Sequence, residues 1–139
     1  AALGSVRTWG GVLEHPAYSD AWQRFALPRP SAHGWQRGIC GGWSAAVAQS
    51  EYGHQVKKAT WLYAYGVTDL PELCYGIAPD SSRTALISWC GNHTKAFDAR
   101  PRLGKKAAAA TPPAFRDALI RIAESASGSL AARRKECEP

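Results

Sequence analysis

The chain has 139 residues, of which 45% are hydrophobic and 20% charged, with 13 Gly, 9 Pro, 4 Cys and 6 Trp. That balance suits one compact domain over residues 1–139 and excludes collagen-like, fibrous and fully disordered classes. The net charge is +6, unevenly placed: residues 1–99 hold eight basic and seven acidic side chains, residues 100–139 nine and four.

No run approaches the roughly 18 apolar residues that span a bilayer, and no basic start leads into an apolar stretch resembling a signal peptide. The expectation is a soluble, unexported, cytoplasmic protein without membrane contact. A basic C-terminal forty suits a polyanion such as DNA, because each neutralised phosphate releases counterions, although a solvated basic tail would carry the same charge.

The chain opens with Leu3, Val6 and Trp9 at helical spacing, and Gly10-Gly11 stop that helix. Val12-Leu13 then read as a short buried strand ending in the ionisable pair Glu14-His15, which Pro16 terminates. Ser19 is a candidate cap for a short helix that places Trp22 and Phe25 on one face. Residues 27–42 hold two prolines, four glycines and Trp35, the composition of a long surface loop.

Residues 43–49 read as a strand, and Thr60-Trp61-Leu62-Tyr63-Ala64-Tyr65 is the most strand-like hexamer in the chain. Residues 67–110 are poorly periodic, with 84–89 as a further strand candidate and the alanine run after Lys105 as a linker or helix entry. From Thr111, the expected cap, Phe115, Leu119, Ile122 and Ala126 form one apolar stripe, with Arg116 and Arg121 outside it. Gly128 is the expected stop, followed by the solvent-facing Arg133-Arg134-Lys135. No repeat is present.

Cys40, Cys74, Cys90 and Cys137 form no CxxC pair. In an unexported chain of this length they should be reduced thiols. Cys90-Gly-Asn-His93 has a spacing zinc could use, yet no further ligands suggest themselves, so no metal is expected.

Three segments together resemble the later motifs of the DNA cytosine-5 methyltransferase family and related phage-encoded methylase-like proteins. Gly11-Val12-Leu13-Glu14-His15-Pro16 resembles the family's strand followed by Glu-Asn-Val, whose glutamate contacts the ring edge of the flipped cytosine; Glu14 is the matching position. Ala48 to Tyr63, containing Tyr52-Gly53 and Gln55-Val56-Lys57-Lys58, resembles the family's tyrosine-glycine turn, glutamine and spaced arginines. There Lys57 and Lys58 stand for two arginines and Thr60 for a third basic residue; lysine keeps the charge but loses the bidentate fork. Thr111-Pro112-Pro113-Ala114-Phe115 resembles the prolines and helix with which the family closes its cofactor pocket.

The resemblance implies a small, partial Rossmann-like α/β methyltransferase fold of about three to four core strands with a C-terminal helix. It would begin just before the fifth strand of a seven-stranded sheet. The glycine-rich turn for S-adenosylmethionine and the Pro-Cys nucleophile loop are missing from these residues. The chain alone is therefore expected to bind no cofactor, S-adenosylmethionine entering only if a partner half supplies the site. Its first strand, inner in the parent fold, would offer a free edge to a protein partner or a second copy.

Two functional readings follow. In the first the chain is a methylase-derived DNA-binding protein, the target-recognising part of a split or truncated enzyme and inactive alone. Glu14 holds the base, and Gln55, Lys57, Lys58, Arg133, Arg134 and Lys135 contact nucleic acid. In the second it is a phage-encoded interaction protein that inhibits a host nucleic-acid-handling defence complex through Trp35, Arg37 and Trp43, because Trp and Arg dominate interface hot spots. A third, a hydrolase or transferase built on Glu14, His15 and His54, is disfavoured because adjacent strand residues point to opposite faces.

Overall fold

Gly10 and Gly11 turn the chain from its first helix directly into its first strand. The computed structural model describes residues 2–31, 33–75, 86–87 and 101–136. α1 (Ala2–Trp9) ends where the Gly10 N–H donates to the Val6 carbonyl at 2.9 Å, with Gly10 at a φ of 80° that favours glycine. β1 (Gly11–Pro16) follows at once. α2 (Asp20–Arg24) is capped as its sequence predicts, the Ser19 hydroxyl accepting from the Ala21 N–H at 3.3 Å.

β2 (Gln36–Arg37), β3 (Trp43–Ala48), a 3-10 turn (Gln49–Tyr52) and β4 (Ala59–Tyr65) come next. β5 (Leu86–Ile87) pairs in parallel with β6 (Arg102–Leu103). α3 (Lys105–Ala109) and α4 (Pro113–Glu136) complete the described chain.

The fold is mixed helix and strand, built on a four-stranded sheet in the order β1-β4-β3-β2 with every neighbouring pair antiparallel. β4 is central because its aromatic and apolar residues tolerate burial on both faces: Leu62, Tyr63 and Ala64 have no exposed surface. The period-2 alternation divides the core. On one face Ala45, Val47 and Leu62 pack with Leu73 and with Phe115 of α4. On the other Tyr63 packs with Trp22 and Leu27, flanked by Leu3 and Val6 of α1 and by Leu13 and Trp61. Gly42 has no substitute there, since a Cβ would overlap the buried Tyr63 ring.

The expected α4 stripe is present: Phe115, Ile122 and Ala126 are buried and Leu119 packs against the core. Several expectations are corrected. α4 does not stop at Gly128 but continues to Glu136, because the strong helix formers beyond its serine neighbours, Ala123-Glu124 before and Leu130 to Glu136 after, outweigh the roughly 1 kcal/mol cost of one glycine. Thr111 is not its cap; the helix starts at Pro113, and the Pro112 carbonyl accepts the Arg116 N–H at 2.9 Å.

Phe25 does not share the Trp22 face. It ends α2 at φ −107°, Ala26 reverses the chain at φ 48°, and the ring turns to solvent. Trp9 is likewise exposed. The 27–42 segment is not a free loop, since Gln36–Arg37 pairs with β3 and the Ser31 carbonyl accepts the Ala46 N–H at 3.1 Å. The strand expected over 84–89 is described only at Leu86–Ile87; Cys90, His93 and Cys137 lie outside the described residues.

Candidate nucleic-acid interface

Glu14 sits near the end of β1 opposite Leu62, so its side chain rises from the sheet face that α4 covers. It meets Gln49, 35 residues away, which closes β3 and opens the 3-10 turn. Gln49 is fully buried, and its Nε2 donates to Glu14 Oε1 at 2.9 Å and to Thr60 Oγ1 at 3.1 Å. Thr60 passes its own hydroxyl hydrogen to the Lys58 carbonyl at 3.0 Å. Strand end, turn and central strand thus share one polar chain. Gln49 Oε1 and Ser50 Oγ are buried beside it without a hydrogen-bond partner among the described residues.

Lys58 enters the same neighbourhood on a strained backbone, φ 39°, where a β-branched or bulky residue is rare. Its Nζ donates to the Ala109 and Ala110 carbonyls, both at 2.9 Å, and so caps the C-terminal end of α3. Burial pushes this ammonium below its ordinary value, and the Glu14 carboxylate partly opposes the shift. Lys58 is therefore tied to the α3–α4 junction, with its ammonium bound to backbone carbonyls.

Lys57 departs to the other side. It lines a niche with Tyr18, Arg29 and Trp61, residues carried by the segments after β1 and by β4. Gln55 is exposed and lines a separate hollow with His54, Leu103 and Pro112. The residues expected to contact nucleic acid are consequently split: Lys58 feels the Glu14 charge but its ammonium is bound to the Ala109 and Ala110 carbonyls, whereas Lys57 and Gln55 border other hollows. Arg133, Arg134 and Lys135 lie on the last turns of α4.

His15 pairs opposite Trp61 and meets Trp22 edge-on at 6.5 Å between ring centroids, on the face away from Glu14. The His54 Nδ1 accepts the Val56 N–H at 3.1 Å within its own turn. Glu14 and His15 form no catalytic pair. Among the described residues no group of His, Cys, Asp and Glu is placed to hold a metal ion.

The residues expected to form a contact loop are more anchored than loop chemistry suggests. Trp35 packs against the core, and its Nε1 donates to the Pro71 carbonyl at 3.0 Å. Arg37 lies over the Trp43 ring at 5.7 Å, a cation–π contact at the β2 edge. Cys40 and Cys74 are exposed free thiols. An Arg7 guanidinium stands over the Tyr63 ring at 5.8 Å, and the thiol of Cys40 is lowered by a Gly42 backbone hydrogen bond, by Tyr63 and by Arg7.

Sequence reasoning did not single out Gln49. The available signal is a polar residue closing a strand of small apolar ones, Trp43-Ser44-Ala45-Ala46-Val47-Ala48, where only a side chain with a buried partner is tolerated. No protein-family model matches this chain, and neither a curated protein nor a solved structure matches it. Among the described residues no helix is long and apolar enough to cross a membrane.

Proposed function

We propose that this chain is a methylase-derived DNA-binding protein whose residues form the target-recognising part of a partial Rossmann-like methyltransferase fold. One observation carries the reading. Glu14, the position the resemblance places against the base, is held through a buried amide at 2.9 Å by Gln49, which lies 35 residues away at the start of the segment that resembles the family's tyrosine-glycine turn. A carboxylate fixed at a strand end is suited to accept a hydrogen from the amino edge of an extruded cytosine.

In this reading β1, which has no strand on its outer side among the described residues, is an inner strand brought to the edge, and a second protein or a second copy completes it. The glycine-rich turn and Pro-Cys loop have no counterpart in these 139 residues, so methyl transfer needs residues from elsewhere and S-adenosylmethionine is held there.

The test is fluorescence anisotropy with two labelled duplexes, one fully paired and one with a cytosine opposite an abasic site. The second should bind about tenfold tighter, the worth of one good base contact. Glu14→Gln should erase that preference while leaving salt-dependent binding to both. Equal affinity for the two duplexes in the natural chain would sink the proposal.

A second reading, a phage-encoded protein that docks on a nucleic-acid-handling complex, draws on a different surface. Ile39 is completely exposed on the β2–β3 turn, beside Arg37 and the half-exposed Phe25. That cluster has the apolar and arginine chemistry of a contact point. Ile39→Asp would weaken such docking and leave DNA affinity unchanged.

A further inference from the structure

The sheet face opposite Glu14 carries a hollow that the polar chain does not use. At one end of that face β3 and β4 present Ala46, Ala48 and Ala59 beside Trp61, because Ala46 pairs with Trp61 and Ala48 with Ala59. Three methyl groups leave empty the volume that larger side chains fill elsewhere on the sheet. The result is a niche of about 180 Å³ with an alanine floor and Trp61, Tyr18 and Pro30 as walls. Arg29 and Lys57 stand at its rim, and neither has an ion-pair partner among the described residues. A second hollow of about 410 Å³ shares Tyr18, Arg29 and Trp61 with it.

Tyr18 is the unusual member. Its backbone adopts φ 63°, costly for a bulky residue, and its side chain is 81% exposed, so no burial compensates for the strain. What the strain achieves is the position of the ring, 4.9 Å from Trp61 between centroids and tilted by 53°. Two aromatic surfaces beside a small apolar floor, with two cations at the rim, match a flat heteroaromatic ring joined to a phosphate. Asp20 borders only the second hollow, so phosphate is favoured on the Lys57 side.

We infer that the niche binds a base-plus-phosphate unit of single-stranded DNA, the base against Tyr18 and Trp61 and the phosphate at Arg29 and Lys57. The inference rests on the DNA-binding reading but uses the other face of the sheet from Glu14. It adds a site for an unpaired nucleotide across the sheet from, and distinct from, the one assigned to the extruded cytosine.

The experiment compares a labelled thymidine oligomer with an abasic oligomer of equal length, by anisotropy, with the full chain. The thymidine oligomer should bind about tenfold tighter. Tyr18→Gly should abolish that difference; glycine suits the left-handed backbone, so the fold survives. Lys57→Gln should weaken both oligomers and flatten their salt dependence. Equal binding of the two oligomers, or a base preference that survives Tyr18→Gly, overturns the inference.

Competition by thymidine monophosphate separates the sources of this chemistry. Displacement at equal nucleotide concentration would overturn the strand as occupant in favour of a free nucleotide, and failure to displace supports the strand. Loss of the Glu14-dependent preference with the Tyr18-dependent one intact would sink the cytosine site alone, and the converse would sink the niche alone.

Discussion

Gln49 donates both of its amide hydrogens from a position without solvent, one to Glu14 and one to Thr60. Removal of the residue leaves the buried Thr60 hydroxyl without its donor, takes one donor from the half-buried Glu14 carboxylate and opens a gap. Gln49→Ala should lower unfolding free energy by about 2 kcal/mol in urea denaturation, in the range for unsatisfied buried polar groups. Thr60→Val, which keeps the shape but loses the hydroxyl that accepts from Gln49 and donates to the Lys58 carbonyl, should cost about 1 kcal/mol.

Buried phenols bear on the alkaline side. Burial pushes the Tyr52 hydroxyl up from 10.0 to about 12, and the hydroxyl accepts the Cys74 N–H at 2.9 Å. Burial raises Tyr63 and Tyr75 as well. A raised phenol favours the fold in its neutral form; that contribution is complete below the ordinary phenol value and drains away as pH rises through about 12. Denaturation midpoints should therefore fall above pH 10. Tyr52→Phe should start lower at neutral pH and fall less, so that the two curves converge.

At the scale of elements, Lys58 is the link between β4 and the helical end of the chain. Its Nζ holds the last carbonyls of α3, and nothing else described ties that short helix to the turn before β4 so directly. Lys58→Ala should cost about 1 kcal/mol, a value reduced for its partial exposure. It should accelerate amide hydrogen exchange across residues 104–112 while α4 from Phe115 onward stays protected. Lys58→Arg should not rescue fully, because a planar fork cannot place one nitrogen against two adjacent carbonyls as an ammonium does.

Most elements are legible in the sequence because their determinants are local: the Ser19 cap, the Gly10 stop, the strand character of Thr60 to Tyr65, the apolar stripe of α4. What is not legible depends on register. Nothing between Glu14 and Gln49 marks them as neighbours; they meet only because β4 inserts between β1 and β3. The two-residue β2 has no pattern of its own and exists through pairing with β3. The parting of Lys57 from Lys58 follows from one left-handed backbone, which composition does not announce.

For the whole molecule, the sheet has helices on both faces, and the two candidate nucleotide contacts lie on opposite sides of it. The basic C-terminal forty adds charge to this arrangement, but not all of that charge is free. Arg116 is bound to Asp117 at 2.8 Å and Arg121 to Asp69 at 2.7 Å. These pairs are exposed and contribute little to stability, yet each cation already has an anion beside it.

Arg133, Arg134 and Lys135, carried on the end of α4, are the residues that the proposed reading assigns to phosphate contact. Each phosphate neutralised contributes about 0.9 to the slope of log affinity against log salt. Replacing all three by alanine should reduce that slope by about 2 to 3 and weaken paired and extruded-cytosine duplexes alike. Arg116→Gln with Arg121→Gln should leave the slope nearly unchanged, although it removes almost as many positive charges. Salt titrations of the natural chain and the two variants by anisotropy check this, and the contrast separates charge that is placed against DNA from charge that merely raises the total.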